Sequence, residues 1–442
     1  MAAVPSATVH NEPKPLHADA RTSDWPGFFG PRHDGTTDEQ PLALPWPDGG
    51  PALLWELEKG GGYASPVIAD GRLLLFHLVD GEERIDCLDP VDGSPLWSTS
   101  YPVDYRDRYG YSDGPRGSPW ISGDRAVALG VASMLTCVSM EDGRVLWQHD
   151  LREQYGTPQD FFGHGSSPLV ANGRVYVKVG GREVSAMALD LEDGRPLWQL
   201  RHEWGASYAS PVLATIHGRE LLLLFAGGES RPPTGGLLVV DPADGTLVAE
   251  FPWRAGIYES VNAANPVVLD GGRIFLTECY GPGGVMLELS EAFELRELWR
   301  APQLDSHWTT PVMDEDGHLL VVAGRHQRNA WLRRVDPAKG EILWQDDLAW
   351  TDQVNGRDYH LAFQRGSLVR VPQGWIGLGE LGSLLFLRMD DDGPVIVARH
   401  QPFLAPETWS PPAISQGLLY LCQHHRDMDG NPPRLLCFDL RP

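Results

Sequence analysis

The sequence predicts an all-β, eight-bladed β-propeller of four-stranded antiparallel blades, with the ring closed by an N-terminal outer strand. Two repeated phrases carry this expectation. The first is a strand, an acidic tight turn and a Leu-Trp pair. It runs from Cys87 through Asp89-Pro90-Val91-Asp92-Gly93 to Leu96-Trp97, and returns through Glu141-Asp142-Gly143 to Leu146-Trp147. It appears again as Leu189 to Leu197-Trp198 and as Val335 to Leu343-Trp344. The tryptophans stand 50 and 51 residues apart, and the last gap of 146 is close to three more periods. Short strands and Asp-Gly turns recurring at that period are the mark of a propeller.

The second phrase, a small residue followed by proline, opens each blade. It occurs at Ser65-Pro66, Ser118-Pro119, Ser167-Pro168 and Ser210-Pro211, with variants at Asn265-Pro266, Thr310-Pro311 and Ser410-Pro411 and a proline-free copy at Ser367-Leu368. These are eight starts. Proline suits the first residue of a strand, where the missing N–H costs no ladder bond. From each start the expected order is strand A, a Gly turn (Asn172-Gly173 is the clearest), strand B, a variable loop, strand C, the Asp-Gly turn and outer strand D. The last blade ends at strand C, Leu435 to Asp439, while a Trp-bearing strand, Ala52 to Leu57, stands unassigned at the other end. That strand is expected to supply the missing outer edge and so close the ring. The repeated Trp is expected to pack between blades. Residues 1–23 are expected to form a disordered or extended arm, and 24–442 a single propeller domain.

Composition agrees and excludes other classes. The chain has 442 residues, 42% of them hydrophobic, with 49 glycines and 37 prolines spread as punctuation. A net charge of −24 opposes binding to a phosphate backbone, so no nucleic-acid role is expected. Only four lysines occur, so arginine supplies nearly all the positive charge. No apolar run is long enough to span a bilayer. The first 24 residues lack the apolar core of a secretory signal, so the chain reads as cytoplasmic as written, and as exported if a preceding signal has been removed. Cys87, Cys137 and Cys437 fall at equivalent strand positions and read as small core residues. A closed ring exposes no sheet edge needing a partner, so a monomer is expected.

The segment Asp24-Trp25-Pro26-Gly27-Phe28-Phe29-Gly30-Pro31-Arg32-His33-Asp34-Gly35, together with the two phrases, resembles the PQQ-like (quinoprotein-like) eight-bladed propeller repeat family. The resemblance covers residues 24 to 440 and implies the fold. That superfamily holds quinone-dependent dehydrogenases and also non-catalytic relatives such as the propeller lipoprotein of the outer-membrane assembly machinery. The dehydrogenases carry a disulfide between adjacent cysteines near the quinone and gather Asp, Asn and Glu around a calcium ion. No two cysteines are adjacent here and no such acidic set is recognisable, which argues against PQQ as the cofactor.

Propeller topology sorts the loops by face. A–B and C–D turns share one face; D–A and B–C loops share the other, around the channel mouth. Here the second set is long, varied and chemically rich, as expected where a scaffold displays function. The residues just before each strand A should crowd the axis: Tyr63, Arg116, His164, Tyr208, Asn262 with Asn265, His307 with Trp308, His360 and Trp409. His164, His307 and His360, with Glu278 from a B–C loop, form a candidate transition-metal set. The three histidines, Tyr208 and Arg116 are the candidate catalytic groups. Tyr63, Asn262, Asn265, Trp308 and Trp409 are the candidate ligand-binding groups. The Asp390-Asp391-Asp392 run reads as a solvated C–D turn. The long D–A loop Tyr101 to Gly117 interleaves aromatic and charged residues and suits a lid or a docking surface. Three functions compete: a small-molecule-binding propeller acting as an enzyme, a protein-interaction scaffold, and a quinone-dependent dehydrogenase ranked last.

Overall fold

Pro66, Pro119, Pro168 and Pro211 each stand immediately before an innermost strand: Val67–Ala69, Trp120–Ser122, Leu169–Ala171 and Val212–Ile216. The structure, a computed structural model, describes residues 6–181, 183–354 and 356–442. Seven blades follow the order A–B–C–D along the chain, and all eight predicted starts open a blade. The eighth takes strands Ala413–Ser415, Leu418–Gln423 and Arg434–Asp439 and then pairs Arg434–Asp439 with Ala52–Glu58. The ring is therefore closed by an N-terminal outer strand, as the sequence predicts. Thr8–Val9 adds a short fifth strand outside it. Beyond that, Lys14 donates from its backbone N–H to Asp439 and from Nζ to the Arg441 carbonyl. Among the described residues no helix is long and apolar enough to cross a membrane.

The serines of the second phrase explain how neighbouring A strands are spaced. The N–H of the residue before each blade-opening proline lies ahead of its own sheet's ladder and must find a partner elsewhere. Ser65 N–H donates to Ser118 Oγ (3.0 Å), Ser118 N–H to Ser167 Oγ (2.8 Å) and Ser167 N–H to Ser210 Oγ (2.9 Å). Ser210 N–H then donates to Asn265 Oδ1 (2.7 Å) and Asn265 N–H to Thr310 Oγ1 (3.1 Å). This belt runs from blade 1 to blade 6 and stops at the proline-free blade, where Ser367 Oγ is buried without a partner. Asn265, expected to bind a ligand, is thus a member of the belt. Its Oδ1 serves the frame, its Nδ2 is buried without a partner, and it does not line the cavity at the channel mouth, which corrects that expectation.

The first phrase works in the same blade-to-blade way on the outer side. The indole N–H of Trp55, Trp97, Trp147, Trp198 and Trp299 donates to a carbonyl in the C–D turn of the next blade, at Pro90, Met140, Leu191, Pro242 and Pro337. The turn glycine lies flat on that indole. Gly143 has φ +73°, and a Cβ built on it would stand 2.4 Å from the Trp97 ring, so the position excludes a side chain on both grounds. Gly143→Val is expected to destabilise the protein by about 2–4 kcal/mol. Gly256→Ala, with open space and no positive φ, should be nearly silent. Equal denaturation midpoints for the two variants would contradict this account. In blade 7 the C–D turn is shortened to Asp391-Asp392, its Gly393 meets no neighbouring ring, and Trp344 Nε1 is left unpartnered.

One feature bears directly on the site. Residues 24–37 thread across the ring of A strands. Trp25 pairs with Ile68 of blade 1 in both directions, and Pro26 accepts from the Ile121 N–H of blade 2. Gly35 and Thr37 pair with Arg370 of blade 7. Trp25 is fully buried, and Gly27 approaches Trp120 so closely that a Cβ would stand 2.3 Å from its ring. The segment forms a plug across the channel, and Phe28 rises from it toward the opposite mouth.

Candidate functional site

The D–A loops converge above the plug on a cavity of about 220 Å³. Each of the eight loops contributes to its wall: Tyr63, Arg116, Phe162, Tyr208, Val261, His307, Arg365 and Trp409, in blade order, with Phe28 as a floor. Of the residues expected from sequence, the structure brings together Tyr63, Arg116, Tyr208, His307, Trp308 and Trp409.

The walls are mainly aromatic. Trp409 lies 4.8 Å from Trp308, 5.0 Å from Tyr63 and 5.5 Å from Tyr111, centroid to centroid, and Phe162 joins Tyr111 to Tyr208. The Arg365 guanidinium sits 4.3 Å over Trp308, and that of Arg116 sits 5.8 Å over Tyr63. Among the described residues no carboxylate or carboxamide side chain lines this cavity.

Carboxylates instead stand behind the wall and hold it. Glu380 is fully buried and accepts from Arg365 Nε (2.9 Å) and Nη2, Trp409 Nε1 (2.9 Å) and Gln327 Nε2 (3.1 Å). Glu407 accepts from the Tyr63 hydroxyl and pairs with His425 Nε2 at 2.7 Å. Asp107 pairs with Arg116 at 2.7 Å and also accepts the backbone N–H of Tyr109 and Tyr111. That last pair of bonds folds the Tyr101–Gly117 loop back over the mouth and places Tyr111 against Trp409 and Phe162.

The expected metal set does not assemble. His164 is buried with Nε2 3.1 Å from Ser166 Oγ and Nδ1 3.4 Å from Ser133 Oγ, so both nitrogens are spent locally. Burial holds its imidazole down at about 3. His360 is exposed on Arg357–Ala362, the second strand of a hairpin inserted between blades 6 and 7, opposite Thr351. That insertion, unseen as strands in the sequence, carries it away from the axis. Glu278 accepts from Ser260 Oγ (2.8 Å) and the Tyr280 N–H (3.0 Å). Only His307 lines the cavity. Its Nε2 meets the Tyr280 hydroxyl at 3.2 Å, its Nδ1 is buried without a partner, and burial, aided by Arg365 and Arg325, holds it neutral at about 3. Asn262 is wholly buried, with its amide donating to the Ala226 carbonyl and its backbone carbonyl accepting from Tyr208 and Ala209. It builds the wall without facing the cavity.

Among the described residues, the one group with three metal-capable atoms close together is Asp314, Asp316 and His318. It lies at an A–B turn, on the face opposite the cavity, and Arg334 already binds Asp314 (2.7 Å) and Asp316 (2.6 Å).

Burial pushes the Glu278 carboxyl up to about 7, against the lowering effect of its two hydrogen bonds. The unfolded chain releases this proton near 4.5, and the native chain keeps it to about 7. Native stability therefore falls as pH rises through that window, by roughly 3 kcal/mol from this group. Glu278→Gln is expected to raise Tm at pH 8 and change it little at pH 4. A difference that does not vary with pH would contradict the assignment.

Tyr111, Phe162, Arg365 and Phe28 line the cavity without having been singled out. Tyr111 lies in the loop marked as a lid, and Arg365 directly precedes the proline-free start, so both left a signal. Phe28 left none, because nothing in the sequence shows where the plug crosses the ring.

A family model described as outer membrane protein assembly factor BamB matches residues 81–346. No curated protein sequence matches the chain. Among solved structures, a europium-containing methanol dehydrogenase is similar at TM-score 0.65 and 10% identity, over 94% of this chain and 98% of its own. The quinohemoprotein alcohol dehydrogenase from Comamonas testosteroni matches at TM-score 0.65 and 12% identity, over 94% of this chain and 80% of its own. BamB from Moraxella catarrhalis matches at TM-score 0.55 and 12% identity, over 88% of this chain and 97% of its own. At these identities the likeness is one of fold.

Proposed function

The chain belongs to the PQQ-like β-propeller repeat family, and from that premise we propose that it is a small-molecule-binding propeller whose site is the aromatic cavity at the channel mouth. One observation carries the reading: all eight D–A loops send a side chain to the same cavity, and the plug closes it from below. A pocket walled by aromatic faces with a few fixed polar groups is the usual form of a small-ligand site.

The quinone arrangement implied by the resemblance does not fit these residues. All five cysteines are free and buried, and among the described residues no carboxylate or carboxamide side chain lines the cavity. Glu278, expected as a transition-metal ligand, accepts from Ser260 and Tyr280, and Asn262, expected as a ligand-binding group, is wholly buried outside the cavity lining.

The test is calorimetric titration with small aromatic compounds. Trp409→Ala, which removes the ring shared by three of the aromatic contacts, should lower affinity at least about tenfold. Unchanged affinity would exclude this cavity. A second reading, a protein-interaction scaffold, draws on the rim: Tyr109 is 56% exposed and Ile257 43% exposed. The two loops are joined beneath by Phe161, which packs on Tyr109 and Tyr258. A Tyr109→Ser, Ile257→Ser double exchange should leave small-ligand binding intact under the first reading.

A further inference from the structure

The cavity opens outward into a vestibule of about 520 Å³, and the two share Tyr111, Arg365 and Trp409 as a common neck. Their chemistries differ. The inner chamber is aromatic and apolar, with Phe28 as its floor. The vestibule is polar, walled by the 326–329 segment, Arg365, Pro406 and Glu407.

Charge in the vestibule is unevenly balanced. Glu407, the one carboxylate there among the described residues, is already held by Tyr63 and His425. Arg328 has no carboxylate partner among the described residues, and neither does Arg325 beside it, whose guanidinium lies over the Tyr280 ring. Arg365 donates Nε–H and one Nη2–H to Glu380 and one Nη1–H to the Arg325 carbonyl. A guanidinium has five N–H bonds, so one remains on each terminal nitrogen. In a chain of net charge −24, Arg328 and Arg325, without a carboxylate partner among the described residues at the mouth of an apolar chamber, favour an anion there.

Resting on the small-molecule reading above, we propose that the ligand is an aromatic carboxylic acid. Its ring enters the chamber and packs against the contiguous wall of Trp308, Trp409 and Tyr63, and its carboxylate stays in the vestibule between Arg365 and Arg328. Planar carboxylates match the remaining guanidinium donors, and ring insertion displaces water only from apolar walls. An organic cation would meet two guanidiniums and, among the described residues, no lining carboxylate in the inner chamber. A neutral ring would forgo the vestibule contacts.

The experiment is calorimetric titration of the full chain with three matched probes: 3-phenylpropionate, 3-phenylpropionamide and 3-phenylpropylamine. The acid is expected to bind at least about tenfold tighter than the amide, with the amine weakest. Arg328→Glu, an exchange at an exposed residue, should weaken the acid by about tenfold and leave the amide within about twofold. An amide or amine that binds as tightly as the acid, or a variant that weakens all three alike, overturns the acid class while the cavity reading stands. Binding of none of the three overturns both.

Discussion

Glu380→Ala is expected to lower stability by about 3–5 kcal/mol, because it leaves the guanidinium of Arg365, whose side chain is 14% exposed, without its countercharge. For a chain of this length that corresponds to a Tm lower by roughly 3–5 °C. The consequence for the site should be larger than the consequence for the fold. The same carboxylate holds the Trp409 indole, Arg365 and Gln327, so its loss frees one face of the cavity and its neck together. Ligand affinity should fall well beyond tenfold even where the protein remains folded, and Trp emission should shift to the red as Trp409 loosens. Glu380→Gln keeps an acceptor for one donor and should fall between the two. If the Ala variant binds ligand as wild type does, Glu380 does not position the wall.

Trp25→Ala is expected to cost about 3–5 kcal/mol, the range for removing a fully buried large aromatic. Trp25 anchors the plug to blade 1 by paired backbone bonds of 2.7 and 2.8 Å with Ile68, and Gly30 folds over its ring. Its loss should release the plug and with it Phe28, so affinity for an aromatic ligand should drop in parallel with stability. Chemical denaturation and calorimetry on the same preparation check both effects. A variant that is destabilised but binds normally would show that the floor of the cavity does not depend on the plug.

The ring was legible because its determinants are local and repeated. Each Asp-Gly turn and the tryptophan that packs on its glycine recur at one period, and each Ser-Pro start marks a strand whose proline needs no ladder bond. Even so, the serine and the proline of that start do different things. The proline was readable from backbone chemistry, whereas the serine hydroxyl bonds to another blade, a contact that linear spacing does not encode. The same limit applies to the site. Tyr63, Tyr208, Trp308 and Trp409 could be placed near the axis because topology puts every D–A loop there. Which side chains turn inward depends on partners behind the wall. Ser133 and Ser166 turn His164 into the frame, the inserted hairpin carries His360 outward, and Glu380 turns Arg365 in. The metal expectation failed for this reason: His164 and His307 stand at equivalent loop positions with different neighbours, and His360 stands on an inserted strand.

The most direct measurement is crystallographic fragment screening of the full chain with small aromatic acids and their neutral counterparts. The account predicts ring density in the chamber against Trp308 and Trp409, above Phe28, with the acid group on the vestibule side near Arg365. Fragments that cluster elsewhere on the ring while this cavity takes none would contradict the claim that the eight converging loops form the functional site.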